Sequence, residues 1–207
     1  MNELWLILAA FVIITIIGVP LYASVGATVL LAIYLIDLPF TMLAQTSYSA
    51  LTPFPILTIP LFVLAGRLME VGGMAERMIS VATSLVGAYR GSLGLVTVFA
   101  CALFAALSGS GPATTAAIGS VTIPAMKREG YKVPFAGAIA AAAGALGSLI
   151  PPSNLMIVYG LVSETSIPRL FLAGMIPGVV VTILLMLTVY IIARRNDYGG
   201  SGQKFSW

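Results

Sequence analysis

Two stretches of this chain carry no charged residue at all, residues 91–126 and 133–163. Uncharged runs of that length belong in a bilayer rather than in a water-soluble core. Yet each is interrupted near its middle by residues that a plain spanning helix would not place there: SGSGP at 108–112 and GSLIPPSN at 147–154. Proline removes a backbone donor and clashes with the preceding turn, so a helix cannot pass smoothly through Pro151 and Pro152. Non-helical backbone at membrane depth persists only where it is buried in protein or lines a polar cavity. The two breaks therefore read as two halves of one site, with the rest of the chain holding them.

The composition supports the bilayer reading. The chain is 59% hydrophobic and 8% charged, against about 25% charged in average soluble domains. The expected class is an all-α polytopic membrane protein, because a β-barrel would need short alternating segments. The formal net charge is +3, but the bases sit in short clusters between apolar runs, a topology signal rather than a nucleic-acid one. Cys101 lies in an apolar run and reads as a small core residue. One cysteine and no histidine argue against a metal centre of the thiolate or imidazole kind. No basic leader or small-residue cleavage site is seen before the first apolar run, so no removable signal peptide is expected.

Taken in order, the charge-free segment 4–36 is divided by Gly18 and Pro20, which favours two short helices, 4–17 and 20–36, over one long kinked helix. A turn follows at 37–39, then a mildly polar segment 41–52 that suits a short interfacial helix. Pro53 and Pro55 open a spanning helix that reaches Arg67 and Glu70, with Pro60 inside it. Gly72 and Gly73 end it. Residues 74–88 are amphipathic: Met74, Met78, Val81 and Leu85 share one face, while Glu76, Arg77, Ser80 and Ser84 lie largely on the other. That pattern fits a helix lying in the membrane surface.

Residues 92–107 and 113–126 form two arms of about 14–16 residues, short for a full crossing, which favours a re-entrant hairpin over two short spans. An Ala- and Gly-rich helix over 133–149 allows close backbone approach. A half-helix over 154–163 and a last span over 170–193 follow, the first half of the span softened by Gly174, Pro177 and Gly178. If 92–126 is a hairpin and 133–163 one broken span, Arg90, Lys127, Arg128, Lys132, Arg194 and Arg195 all fall on one side, which the positive-inside rule makes cytoplasmic. Asp37 and Glu164 then lie outside.

The groups available near the breaks are neutral oxygens: the hydroxyls of Ser108, Ser110, Thr114, Thr115, Ser148 and Ser153, the amide of Asn154, and carbonyls freed by Gly109, Gly147, Pro151 and Pro152. Hard cations take oxygen ligands, and sodium can be held without a carboxylate. No acidic residue or histidine lies in either run, so a proton relay is poorly supported. The start of the returning arm, with Pro112 in its first turn, offers a positive dipole end to an anionic substrate. Interrupted helices that pair such groups recur in secondary transporters. An intramembrane enzyme would need a nucleophile with a base, or paired carboxylates, and neither serine of 108–110 has one in its run. A passive channel or self-assembling pore lined by the Ala/Gly-rich helix is the alternative reading.

Several strings together resemble one family: IPLFVLAG at 59–66, LSGS at 107–110, MKREGY at 126–131, LIPPS at 149–153 and FLAGMIPG at 171–178. They look like the large membrane subunit of tripartite ATP-independent periplasmic (TRAP) transporters, over residues from near 5 to about 195. The resemblance implies one repeat of an inverted-repeat, elevator-type, sodium-coupled importer of organic acid anions, sialic acid and C4-dicarboxylates among them. It implies an inner-membrane location and as partners a small TRAP membrane subunit and a periplasmic solute-binding protein. It also implies a division into scaffold helices (1–73), an interfacial arm helix (74–90), a transport-domain half (91–167, with hairpin 91–126 and broken helix 133–163), a final transmembrane helix (168–196) and a polar tail (197–207). Carried over, Ser108, Gly109 and Ser110 match the sodium-binding hairpin tip, and Gly144, Gly147, Pro151 and Pro152 the sodium-binding part of the broken helix. Ser110, Thr114, Ser153 and Asn154 fall where substrate binds. The family's large subunit carries two inverted repeats, each with a hairpin and a broken helix. One of each stands here, so the chain resembles the N-terminal half, and the remaining C-terminal half is itself an expected partner.

Overall fold

A computed structural model describes residues 2–86 and 91–198. Arg90 and the end of the amphipathic segment, like the tail from residue 199, lie outside the described residues. Among those described, the chain is all-helical and divides into two compact units, Met1–Pro53 and Phe54–Trp207.

The first unit holds α1 (Asn2–Ile16), α2 (Leu21–Leu35) and α3 (Phe40–Leu51). The two-helix reading of 4–36 holds. Gly18 takes φ 95, a conformation L side chains disfavour, and Pro20 is the N-cap of α2. The two helices pack together, and at 15 residues each they are roughly 22 Å long, short of a bilayer core of about 30 Å. Thr28 is buried in α2 and its hydroxyl donates to the Ser24 carbonyl at 2.6 Å. That back-bond is how an apolar helix keeps a hydroxyl satisfied.

The second unit opens with α4 (Phe54–Val71), which runs through Pro60 and stops where Gly73 takes φ 74. Near its end Arg67 and Glu70 form an exposed ion pair, which contributes little to stability in water. Next comes α5 (Met74–Val86), whose faces differ from those expected. Its side toward the protein is the line Ala75, Ile79 and Ala82, two small residues flanking one large one, all buried. The expected apolar face sits about a quarter turn away: Met74 and Met78 pack on the edge of the core, but Val81 and Leu85 are exposed. The helix thus has a protein face, an apolar exposed flank and a polar flank, as a helix at a lipid–water boundary against protein requires.

α6 (Ser92–Ser108) and α7 (Gly111–Arg128) are joined by two residues and pack along each other. Their antiparallel course is fixed at the far end, where the Thr97 hydroxyl approaches the Met126 sulfur at 3.9 Å. The arms have 17 and 18 residues, longer than expected, because helix includes Ser108, Gly111 and Pro112 at the tip and continues into the charged turn at Lys127 and Arg128. At roughly 26 Å each they come within a turn of a full crossing, so arm length alone does not separate a re-entrant hairpin from two spans. α8 (Val133–Gly144) packs most extensively on α7, burying Ala136, Ala140, Ala143 and Gly144. That small-residue face is engaged inside the chain and is not free to line a pore. A short α9 (Leu146–Leu149) precedes the break, and α10 (Asn154–Val162) follows it. The two parts, Val133–Leu149 and Asn154–Val162, are together long and apolar enough for one span, bent by 44°.

α11 (Ile167–Arg195) is a helix long and apolar enough to cross a membrane alone, and it extends beyond the expected 170–193 at both ends. Helix continues unbroken through Gly174, Pro177 and Gly178, and the two glycines have a packing role. They let it approach the break: a Cβ on Gly174 would stand 2.8 Å from the Leu149 carbonyl oxygen and one on Gly178 2.9 Å from the Ile150 side chain.

The end of this unit away from the break is closed by aromatic rings. Tyr131 stacks on Tyr198 with centroids 4.8 Å apart, and Phe135 stacks on Tyr198 at 5.6 Å. The Tyr131 hydroxyl accepts from the Gly94 N–H at 3.3 Å, covering a donor of the first helical turn that has no partner within the helix. Tyr131→Phe is expected to cost about 1 kcal/mol through that lost bond, and Tyr131→Ala about 3–4 kcal/mol through lost ring packing as well. Thermal melts in detergent check the order. At the same end, burial raises the pKa of Glu129, which also sits unfavourably at the negative end of α7. A carboxyl with a raised folded pKa costs stability only once pH passes its unfolded value, and the full cost is present above the folded pKa. Glu129→Gln is therefore expected to raise the melting temperature at pH 7 and to have little effect well below the ordinary glutamate range, where both states are protonated.

Candidate functional site at the hairpin tip and the helix break

The tip is built by local rules. α6 ends when Gly109 takes φ 59, its N–H donating to the Ala105 carbonyl at 3.0 Å. Ser110 is extended at φ −136 and caps α7, its Oγ accepting from the Ala113 N–H at 3.5 Å, a long contact for a cap. The hydroxyls of Ser108 and Thr114 lie 2.8 Å apart in buried surroundings, and Thr114 also donates to the Ser110 carbonyl at 2.9 Å. One hydroxyl has one proton, so the chain of donors runs from Ser108 to Thr114 to the Ser110 carbonyl. Ser108 Oγ also faces the Ser110 N–H at 3.4 Å.

The break is built from the prolines. Ile150 is extended at ψ 126, the Pro151–Pro152 bond is cis, and Ser153 is extended before α10. Ser153 is fully buried, and its hydroxyl donates to the Ser148 carbonyl at 2.8 Å, bridging the gap the prolines leave.

The two breaks meet. The Asn154 N–H donates to the Gly109 carbonyl at 3.1 Å, backbone to backbone across 45 positions of sequence. A Cβ on Gly109 would stand 2.6 Å from the Pro152 carbonyl oxygen. One on Gly147 would stand 2.6 Å from the Ser110 carbonyl oxygen and 2.8 Å from Thr114 Oγ1, and one on Gly144 would overlap the Thr115 side chain. Of the residues expected from sequence, Ser110, Gly109 and Thr114 are thus brought against Gly147, Pro152 and Asn154, with Ser108 tied to Thr114. Ser153 turns toward its own break, and Pro151 shapes the segment. Gly111 was missed: a Cβ there would lie 3.0 Å from Ser148 Oγ and 3.3 Å from the Gly144 carbonyl oxygen. Its signal was present in SGSGP, where the second glycine has no turn of its own to make.

The carbonyl ends of α6 and of the α8–α9 arm meet the amide ends of α7 and α10 here. Carbonyl ends favour a cation and amide ends an anion. Within the site one buried acceptor, Asn154 Oδ1, has no hydrogen-bond partner, and buried polar atoms in native proteins nearly always have one. A neutral, oxygen-only donor set with an orphaned carbonyl-type oxygen fits a hard monovalent cation. No group of three or more metal-binding His, Cys, Asp or Glu occurs among the described residues.

The fold and site together are those of an all-helical membrane protein in which a helical hairpin docks tip-first on a proline-broken helix. Residues 7–207 match the family model of the tripartite ATP-independent periplasmic transporter DctM component, and the chain belongs to that family, whose members are transport permeases and not enzymes. It is 42% identical over 88% of its length to the C4-dicarboxylate TRAP transporter large permease protein DctM of Vibrio cholerae, covering 41% of that protein. It is 42% identical over 92% of its length to the isethionate TRAP transporter permease protein DctMQ of Oleidesulfovibrio alaskensis, covering 30% of it. It is 38% identical over 95% of its length to the sialic acid TRAP transporter permease protein SiaT of Haemophilus influenzae, covering 32% of it. The chain therefore spans well under half the length of each of these relatives.

Proposed function

We propose that this chain is the N-terminal half of the membrane subunit of a sodium-coupled importer of organic acid anions. The observation that supports it best is the docking of the 108–110 tip on the 147–154 break. In this proposal sodium is held by oxygens of Ser108, Gly109 and Ser110 with those of Gly144, Gly147, Pro151 and Pro152. The anion is met by Ser110, Thr114, Ser153 and Asn154 at the amide ends of α7 and α10: the bonds that Thr114 and Ser153 now make to the Ser110 and Ser148 carbonyls open to it, and Asn154 offers it the side-chain N–H while its Oδ1 turns to sodium. Sodium supplies positive charge beside the anion, and the downhill ion gradient drives the uphill solute. The chain's own residues fix the two half-helix ends and exclude water between them by glycine-to-carbonyl contact. The hairpin is re-entrant, 91–167 moves as a unit against helices of 1–73, and α5 links them. Its partners are a C-terminal half with a second hairpin and broken helix, a small TRAP membrane subunit and a periplasmic solute-binding protein. The basic side, with Lys127, Arg128, Lys132, Arg194 and Arg195, faces the cytoplasm of an inner membrane. An organic acid anion is the substrate class, since the relatives' names share anionic solutes, two of them carboxylates and one, isethionate, a sulfonate.

Proteoliposomes containing this chain, the missing half and the small subunit, given a binding protein loaded with its organic acid anion, provide the test. Uptake is expected to require sodium and to be unaffected by collapsing a proton gradient. Uptake that continues unchanged with choline in place of sodium would refute sodium coupling.

A further inference from the structure

We propose that the groove between α8 and α11 seats the headgroup-proximal part of one acyl chain of an anionic phospholipid, with its headgroup phosphate held by Lys132 and Arg195. The groove has a volume of about 120 Å³ and is floored by Val98 and walled by Phe135, Ala138 and Ala142 of α8 and Leu185 and Ile192 of α11. Its depth comes from small residues in the α8 wall, which leave a furrow where a larger side chain would fill the space. Helical register carries each wall into a cation. Lys132 is the N-cap of α8, three residues before Phe135, so it stands at the end of that wall, and Arg195 follows Ile192 by three on α11, one turn beyond the groove on its own wall. Both are exposed. The stacking of Tyr198 on Tyr131 and Phe135 ties the two ends together. The adjoining sequence carries three further cations, Lys127, Arg128 and Arg194, against two carboxylates, Glu129 and Asp197. An apolar furrow that opens onto a predominantly cationic rim complements a molecule with an apolar chain and an anionic head. Basic pockets between helices at the cytoplasmic face bind lipids of that kind.

The test is native mass spectrometry of the purified chain in detergent, titrated with phosphatidylglycerol or phosphatidylcholine of identical acyl chains. Phosphatidylglycerol is expected to bind more tightly. Lys132→Gln with Arg195→Gln should lower its affinity about 25-fold, roughly fivefold per cation. Arg195→Lys should preserve most of the binding, and Arg169→Gln, at the other end of α11, should leave it unchanged. Ala138→Leu, which fills the furrow from an exposed position, should weaken binding of both lipids without touching the cations. Glycerol phosphate should not compete, since it lacks the chain. Equal retention of the two lipids, or phosphatidylglycerol binding that survives both the paired substitution and Ala138→Leu, would overturn the proposal and leave the furrow as a seat for protein. The outcome is independent of sodium coupling, because none of these residues belongs to the hairpin tip or the break.

Discussion

Gly109→Ala is expected to destabilise the chain by about 3 kcal/mol or more and to remove any cation-dependent stabilisation with it. Two costs combine. The left-handed conformation at φ 59 costs an L residue roughly 1–2 kcal/mol. The new methyl would also stand 2.6 Å from the Pro152 carbonyl oxygen, and overpacking costs about 1–3 kcal/mol where nothing can yield. Here the opposing atom is backbone, held by the prolines on one side and by the Asn154 N–H to Gly109 carbonyl bond on the other. Relief requires the tip to lift off the break. Thermal melts of wild type and variant in sodium and in choline check both parts: a lower melting temperature, and the loss of any difference between cations.

Gly144→Ala is expected to show the same direction with a different remedy. A Cβ at 144 would overlap Thr115, first its Oγ1 and then its Cβ at 2.8 Å. The obstacle is a side chain, so it can be removed. The Thr115 hydroxyl donates only to the Gly111 carbonyl of its own helix at 3.0 Å, a bond whose loss costs little. Gly144→Ala alone should cost about 2–3 kcal/mol, and Thr115→Ala in the same chain should recover part of it, since one clashing atom goes and Cβ remains. Thr115→Ala alone should be within about 0.5 kcal/mol of wild type. A double-mutant cycle by thermal or chemical denaturation measures the coupling. Additive costs would show that the two positions are not in contact and that the hairpin docks elsewhere on α8.

Much of this arrangement was legible before any coordinates. Pro151 and Pro152 cannot sit within a helix, and SGSGP cannot sit comfortably in lipid, so two charge-free runs with those interruptions already defined the hairpin and the broken helix. Gly18 and Pro20 likewise separated α1 from α2. Long-range packing was not legible. Nothing local in Gly174 and Gly178 distinguishes a softened helix from one pressed against Leu149 and Ile150, because both need small residues. On α5, hydrophobicity pointed to Met74, Met78, Val81 and Leu85, whereas the protein face uses Ala75, Ile79 and Ala82. In a membrane protein an apolar flank is free to meet lipid, so hydrophobicity alone does not mark the protein face, which here sets one large residue, Ile79, between two alanines that allow close approach. The arms are longer than expected at both ends: helix includes Ser108, Gly111 and Pro112 at the tip and continues through Lys127 and Arg128 at the base, because neither a tight turn nor a charge by itself ends a helix.

The central claim is that the hairpin tip and the break form one sodium site. The most direct measurement is the thermal stability of the purified chain, alone and with the C-terminal half co-expressed, in sodium, potassium and choline at equal ionic strength, for wild type and Ser110→Ala. A ligand that binds only the folded state stabilises it by roughly 2.7 kcal/mol at a hundredfold excess over Kd. The account predicts a rise specific to sodium that Ser110→Ala removes, whatever that substitution costs through its lost cap. Melting temperatures equal in all three cations in both preparations, or a sodium-specific rise that Ser110→Ala leaves intact, would contradict it.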